Sequence, residues 1–297
     1  MIKMILANSG ARLEISPEKF NGGEYNLKLP RELQELLLLP NENLGAIVLI
    51  PQLDSHDSFF ELALCMGAIR EINLDVEVIL ALGYMPYGRQ DRICNEGEAF
   101  GLKIYADLIN SLNFYSVVLL DPHSDVTPAL LNNCKVASQC DLIPSMPSLN
   151  AWIIDAEPVL ISPDAGANKK TLELAKTLGM SSFVRADKTR EVATGKITET
   201  IVYDNKDELI NADCLIVDDI CDGGFTFIKL AEQLKLKGAN SVVLCVSHGI
   251  FSKGFKELFD NGIDKIYTTD SLDVTKVLDS KEYLDSGQLV VESWLLN

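Results

Sequence analysis

The sequence predicts an α/β protein of two domains, each a mainly parallel sheet flanked by helices, and three observations predict it. Short β-branched runs, apolar on both faces, alternate with amphipathic stretches, which is the pattern of buried parallel strands joined by crossover helices. The 297 residues suffice for two domains at roughly 150 residues each. A coarse two-fold rhythm divides them, with strands ending in acidic or Gly-rich loops in each half and a Ser- and Pro-rich segment, 139–149, between the halves. The expected domains are therefore 1–141 and 142–297.

Taken in order, residues 1–16 read as a short strand and turn, because their apolar stretch is shorter than a signal-peptide core. The strand runs are 46–50, 76–82, 116–120, 158–161, 214–217 and 241–246. Between the first two lies a helix over 55–73: Ser55 can cap it, and Phe59, Leu62, Ala63, Met66 and Ile69 recur at helical spacing. A second helix, 167–178, carries Leu172, Leu174, Ala175 and Leu178, with Gly179 placed to end it. A third, 227–237, carries Ile228, Leu230, Ala231 and Leu234, with Gly238 behind it. No short repeat and no low-complexity segment interrupts the pattern.

Composition excludes several function classes. Lys and Arg number 26 against 43 Asp and Glu, a net charge of −17, so no nucleic acid or anionic membrane is expected as partner, since both need clustered positive charge. Phosphates can still be held, in a local pocket with its own cations or a metal. The longest apolar runs, 36–39 and 117–120, fall far short of the ~20 residues of a membrane span. The seven cysteines form no CxxC pair, and Cys65, Cys214 and Cys245 sit in apolar runs. Reduced thiols in a cytoplasmic protein are expected.

In open α/β sheets, ligands gather at the carboxyl ends of the strands. Four strand ends here carry polar chemistry: 84–92 with Arg89, Gln90 and Asp91; 121–125 with His123; 162–170 with Asp164; and 218–226. The last is the strongest. A buried strand reaching Asp218 and Asp219, then Asp222, Gly223, Gly224, Phe225 and Thr226, then a helix, suits a phosphorylated sugar. Carboxylates accept hydrogen bonds from vicinal hydroxyls, while loop N–H groups and the helix N-terminus hold phosphate. The bland alternative is an acidic turn in which Asp222 caps the helix.

At these residues the sequence resembles the ribose-phosphate pyrophosphokinases. The 217–226 loop is similar to that family's V-D-D-x-x-D-T-G-G-T, 86–92 to its PYARQDR, and 121–124 to its DLHS. Residues 162–166 resemble SPDAGG, 188–190 the catalytic KxR, 20–24 the FxxGE, and 246–252 the THGLFS. The resemblance implies two tandem phosphoribosyltransferase-like domains, with the ATP side in the first and the ribose-phosphate loop and catalytic flap in the second. It implies transfer of the β,γ-diphosphate of ATP to the C1 hydroxyl of ribose 5-phosphate, with Mg²⁺, giving phosphoribosyl diphosphate and AMP. Lys188 and Arg190 would then be catalytic, on a polar stretch with no helical or strand periodicity. His123 and Asp164 would hold the metal–nucleotide complex. Arg89, Gln90 and Asp91 would bind ATP, and Phe20 and Glu24 would reach the adenine of a neighbouring subunit, which implies a homo-oligomer. Asp218 and Asp219 would bind the ribose hydroxyls, and Asp222, Gly223, Gly224, Phe225 and Thr226 the group at C5. The implied pocket lies where the two halves meet.

Bland readings stand beside these roles: His123 or Phe20 as a core residue, Asp164 as a helix cap, Lys188 and Arg190 as an exposed basic turn. The sequence also departs from the family's pattern. Gly223 replaces a loop Thr and Phe225 replaces a Gly, so the acceptor is either ribose 5-phosphate, with Phe225 packed under the helix, or a 5-extended ribose such as ADP-ribose, with Phe225 bordering the extra group. Only about ten residues separate Ser9 from Phe20, where the family has room for a helix, and the Gln-containing run after the His is replaced at 125–128. The chain ends soon after Leu272, short of the family's longer C-terminal segment, so ADP is expected to inhibit only in competition with ATP. The rival readings are a phosphoribosyltransferase, which leaves Arg89 and His123 without a role, and an inactive regulatory paralogue.

Overall fold

The computed structural model describes residues 2–40, 44–53, 55–190 and 197–295, and the chain divides into two units, Met1–Ala137 and Ser138–Asn297. In the first unit, β1 (Ile2–Leu6) and β2 (Arg12–Ile15) form an antiparallel pair. A small hairpin follows, β3 (Glu18–Lys19) and β4 (Tyr25–Asn26), and then α1 (Arg31–Leu37). Strands thus occupy the interval from Ser9 to Phe20. The main run comes next: β5 (Ile47–Pro51), α2 (His56–Ile72), β6 (Val78–Leu82), α3 (Gly101–Ser111), β7 (Ser116–Leu120), α4 (Val126–Leu130) and β8 (Cys134–Ala137). The sheet order is β2-β1-β5-β6-β7-β8. Strands β5 to β8 are parallel, and β1 is antiparallel to both neighbours. Ile47, Leu49, Val78, Leu80 and Leu119 are fully buried, which is why these runs read as apolar throughout. Ser55 caps α2 as its sequence predicts, in a reciprocal capping box with Ser58.

The second unit opens on α5 (Gln139–Leu142), a 3₁₀ turn at Ile143–Ser145 and α6 (Pro147–Ala156). Strands and helices then alternate: β9 (Val159–Ser162), α7 (Asn168–Thr177), β10 (Phe183–Arg190), β11 (Ile197–Tyr203), β12 (Asp213–Cys221), α8 (Phe225–Leu236), β13 (Ser241–Gly249), α9 (Lys256–Asp260), β14 (Lys265–Thr269), α10 (Ser280–Ser286) and β15 (Leu289–Glu292). The order is β11-β10-β9-β12-β13-β14-β15, parallel except for the β10–β11 pair.

Three elements differ from their sequence reading. The Ser- and Pro-rich segment, read as the boundary between the halves, is packed structure at the start of the second unit: Leu142, Ile143, Met146 and Leu149 are buried, Ser138 starts α5 in a capping box with Asp141, and Pro147 stands at the first turn of α6. Ser and Pro are helix-start residues as well as loop residues. The polar 185–190 stretch is a strand, held by β11 through pairs such as Lys188↔Thr200. Its inward alternation is short, Val184 and Ala186 being buried, and its polar side chains hide the period. Finally, β12 does not stop before the acidic pair but continues through it, pairing Asp218 with Val246 and Cys221 with Gly249.

Candidate active site

In the second unit, β9, β12 and β13 are neighbours in the sheet, so the loops at their carboxyl ends share one edge. Asp218 and Asp219 lie in β12 itself. The Asp219 N–H donates to Asp218 Oδ1 at 2.9 Å, and Asp219 is buried. Burial first, and the charge of Asp219 second, hold the Asp218 carboxyl well above the usual carboxylate range. Two carboxyls kept this close, with little solvent, suit a diol that brings hydroxyl donors.

After Cys221 the backbone turns through Asp222, Gly223 and Gly224 into α8. Gly224 has φ +76° and caps α8, and a β-carbon on it would stand 2.8 Å from Leu258 Cδ2, so glycine is required there. Phe225 stands outside this left-handed turn, as the first residue of α8. Its ring is not packed under the helix: Phe225 is 48% exposed, with Lys229 Nζ 5.8 Å from the ring centroid. Thr226 follows in the first helical turn, where the Phe227 and Ile228 N–H groups both bond the Gly224 carbonyl at 3.0 Å, which leaves those of Phe225 and Thr226 without an intrahelical acceptor. The N-cap position of α8 is Gly224 rather than Asp222, and Asp222 Oδ1 accepts from Ser252 Oγ at 2.6 Å.

Asp164 follows β9. Its Oδ1 accepts from the Ala167 N–H at 3.0 Å, and its Oδ2 pairs with Lys188 Nζ. The N-cap of α7 is Ala167, so Asp164 shapes the turn before the helix while its second oxygen faces a cation. Burial pushes the Asp164 carboxyl up, but Lys188 and the N–H groups of Ala167 and Gly166 outweigh it and hold the carboxyl below its ordinary value. Lys188 is not on an exposed turn, since its side chain is only 20% exposed. The Arg190 side chain lies outside the described residues, as does Glu191.

Metal fit follows from donor chemistry. Among the described residues no group of three or more His, Cys, Asp or Glu could cage an ion. Mg²⁺ usually takes one or two carboxylates and completes its shell with phosphates and water. The Asp164 carboxylate, held ionised, fits that requirement. His123, a nitrogen donor, fits a nucleotide phosphate better than a hard cation.

In the first unit, Arg89, Gln90 and Asp91 follow β6, and His123 follows its parallel neighbour β7, so both groups stand at one edge of that sheet. The turn is built from Tyr87, with φ 61°, a Gly88 N–H bond to the Met85 carbonyl at 3.1 Å and a Gln90 N–H bond to the Tyr87 carbonyl at 2.8 Å. Arg89 and Gln90 are exposed, and Asp91 Oδ1 meets Arg92 Nε at 3.4 Å. His123 is exposed rather than a core histidine. Phe20, 49% exposed, is not a core residue either. It sits with Glu24 at the tip of the β3–β4 hairpin, closed by the Phe20 N–H bond to the Glu24 carbonyl at 2.8 Å. Lys19 and Tyr25 each bond Asp57 Oδ2 at 2.9 Å and tie the hairpin to α2.

Sequence reasoning gave no role to the residues after β13. The N–H groups of Ile250 and Phe251 bond the Cys221 carbonyl at 2.9 and 3.1 Å, and that of Ser252 bonds the Asp222 carbonyl at 3.1 Å. Behind them His248 is buried, with Nδ1 2.9 Å from Ser271 Oγ, which in turn donates to the Ser247 carbonyl at 3.0 Å. The signal was available: 246–252 is a fifth polar strand end.

Comparison with known proteins adds to this geometry. Residues 148–283 match the family model described as the phosphoribosyl transferase domain. The chain is 31% identical over 198 residues to the ribose-phosphate pyrophosphokinase of Corynebacterium efficiens, a match spanning 64% of this chain and 58% of that protein. It is 28% identical to the one from Campylobacter jejuni over 80% of this chain and 75% of the relative. To the one from Sulfolobus acidocaldarius it is 26% identical over 89% and 87%. Among solved structures, a phosphoribosylpyrophosphate synthetase from Mycobacterium smegmatis superposes with a TM-score of 0.73 at 19% identity, covering 94% of this chain and 86% of that one. The fold is thus that of two tandem phosphoribosyltransferase-like domains.

Proposed function

We propose that this chain, which belongs to the ribose-phosphate pyrophosphokinase family, transfers the β,γ-diphosphate of ATP to the C1 hydroxyl of ribose 5-phosphate. The products are phosphoribosyl diphosphate and AMP. The observation that carries this reading is the end of β12, where the Asp218–Asp219 pair runs directly into a glycine turn and the open N-terminus of α8.

In the reaction the C1 oxygen forms a bond to the β-phosphorus. The bond from that phosphorus to the α,β-bridging oxygen breaks, its electrons leave with AMP, and the hydroxyl proton passes to solvent. Asp218 and Asp219 accept hydrogen bonds from the ribose hydroxyls and fix the ring. Asp222, Gly223, Gly224, Phe225 and Thr226 surround the C5 substituent. Lys188 and Arg190 neutralise charge on the transferred group and on departing AMP, the main demand of a phosphoryl-type transfer. Mg²⁺ arriving with ATP supplies further neutralisation of the phosphates. Asp164 would hold the metal through its ionised carboxylate, and His123 would contact nucleotide phosphate. Arg89, Gln90 and Asp91 bind the nucleotide. The exposed tip with Phe20 and Glu24 offers a ring and a carboxylate to the adenine held by a second copy of the chain.

A second reading, with ADP-ribose as acceptor, is favoured by one observation: the exposed Phe225 ring beside Gly223 offers a flat apolar surface where an extended 5-substituent would run. The test is an acceptor panel of ATP and Mg²⁺ with ribose 5-phosphate, ADP-ribose or ribose, scored by AMP. AMP release that depends on ribose 5-phosphate is expected. AMP release with ADP-ribose alone transfers the conclusion to the second reading, and there Phe225→Gly should shift the ratio of rates toward ribose 5-phosphate. Silence with every acceptor sinks both, and diphosphate release that depends on an added base points instead to a phosphoribosyltransferase.

A further inference from the structure

The turn before α8 brings few side-chain donors of its own to a phosphate: Gly223 and Gly224 bring none, and Phe225 brings a hydrocarbon ring. The loop after β13 supplies what the turn lacks. Its path is fixed by the bonds of Ile250, Phe251 and Ser252 to the Cys221 and Asp222 carbonyls, by the Ser252 Oγ bond to Asp222 Oδ1, and by a Gly254 N–H bond to the Phe251 carbonyl at 2.8 Å. Phe251, buried with φ 45°, sets the bend. Beyond Ser252, Lys253 is exposed. Its Cε, Cδ and Cγ lie 3.7, 3.8 and 4.0 Å from the place a β-carbon on Gly223 would occupy, so the lysine stem runs along the bare face of that glycine.

The charge on this stem is uncommitted. Lys229, over Phe225, is paired with Glu232 at 2.7 Å, and Lys256 with Asp260 at 2.6 Å. No carboxylate among the described residues pairs with Lys253. What distinguishes this ammonium is its place, on a stem that lies against Gly223 in the turn before α8. We infer that Lys253 is a specificity-determining residue that recognises the phosphoryl group on C5 of the acceptor. The lysine acts as a point charge, where a side-chain hydroxyl at position 223 would otherwise serve. This inference rests on the acceptor reading above. The phosphoryl group is common to ribose 5-phosphate and to the proximal phosphate of ADP-ribose.

The experiment measures kcat and KM by AMP release for wild type, Lys253→Ala, Lys253→Arg and the double variant Lys253→Ala/Gly223→Thr. Lys253→Ala should raise the acceptor KM at least tenfold, leave the ATP KM within twofold, and change kcat little. Lys253→Arg should recover most of the affinity because it keeps a cation at the same reach. Gly223→Thr should recover part of it, since the new side chain enters at ordinary contact distance and brings a hydroxyl. An unchanged acceptor KM in Lys253→Ala overturns the inference. So does a fall in kcat without a KM change, or an increase confined to ADP-ribose, which would put the lysine on the distal phosphate. A silent wild type removes the acceptor reading itself, whereas an active wild type with an unmoved Lys253→Ala variant removes only the role of Lys253.

Discussion

Asp218 is a carboxyl that folding makes harder to ionise, because burial and the Asp219 charge both oppose its negative form. Its folded pKa lies above the ordinary 3.8. Its stabilising protonated form is therefore fully present below that value and lost as pH rises through the folded pKa. Asp218→Asn removes the charge at constant shape. It should raise Tm by roughly 2–5 °C at neutral pH, with the gain vanishing toward pH 3, while acceptor binding is lost; a pH series of thermal melts checks the sign. Asp164 behaves in the opposite sense. The Asp164 carboxyl is held down, so its contribution is present above 3.8 and lost as pH falls through the folded value. Lys188→Ala should lower kcat by about 10²–10³, and the Tm difference from wild type should shrink as pH drops below about 4. A kcat within twofold of wild type would take the lysine off the catalytic list. The identities of these residues were legible in the sequence; their ionisation states were not, because those depend on which side chains the sheet brings together.

At the scale of elements, the β12–α8 junction is the most constrained piece of the molecule. Gly224→Ala places a β-carbon in a left-handed backbone and 2.8 Å from Leu258, so it should destabilise by about 1–3 kcal/mol. Gly223→Ala, with no left-handed φ and its nearest neighbour at 3.7 Å, should be nearly neutral. Paired denaturation curves check the contrast. The strand runs were readable because parallel strands buried on both faces are apolar throughout. The helix over 56–72 was readable because Ser55 and its apolar spacing agree. The β10–β11 hairpin escaped because its strand state is imposed by pairing with β9 and β11, not by its own alternation. The 138–149 region escaped because Ser and Pro punctuate loops and helix starts alike.

For the molecule as a whole, each unit has its own apolar core. No helix among the described residues is long and apolar enough to cross a membrane, and all seven cysteines are free thiols. Lys253 stands out by position, its stem lying along Gly223 at the turn before α8. The sequence by itself determined the alternation of strands and helices and the strand ends that carry polar chemistry, because those properties are written in local order. Only the tertiary structure decided that Phe225 is exposed, that Gly224 carries the left-handed turn, that Asp218 is driven toward its protonated form, and that Ser252 meets Asp222 thirty residues away. Those contacts are made across paired strands, where register and burial set which side chains meet, and neither is fixed by the residues on either side of a position in the chain.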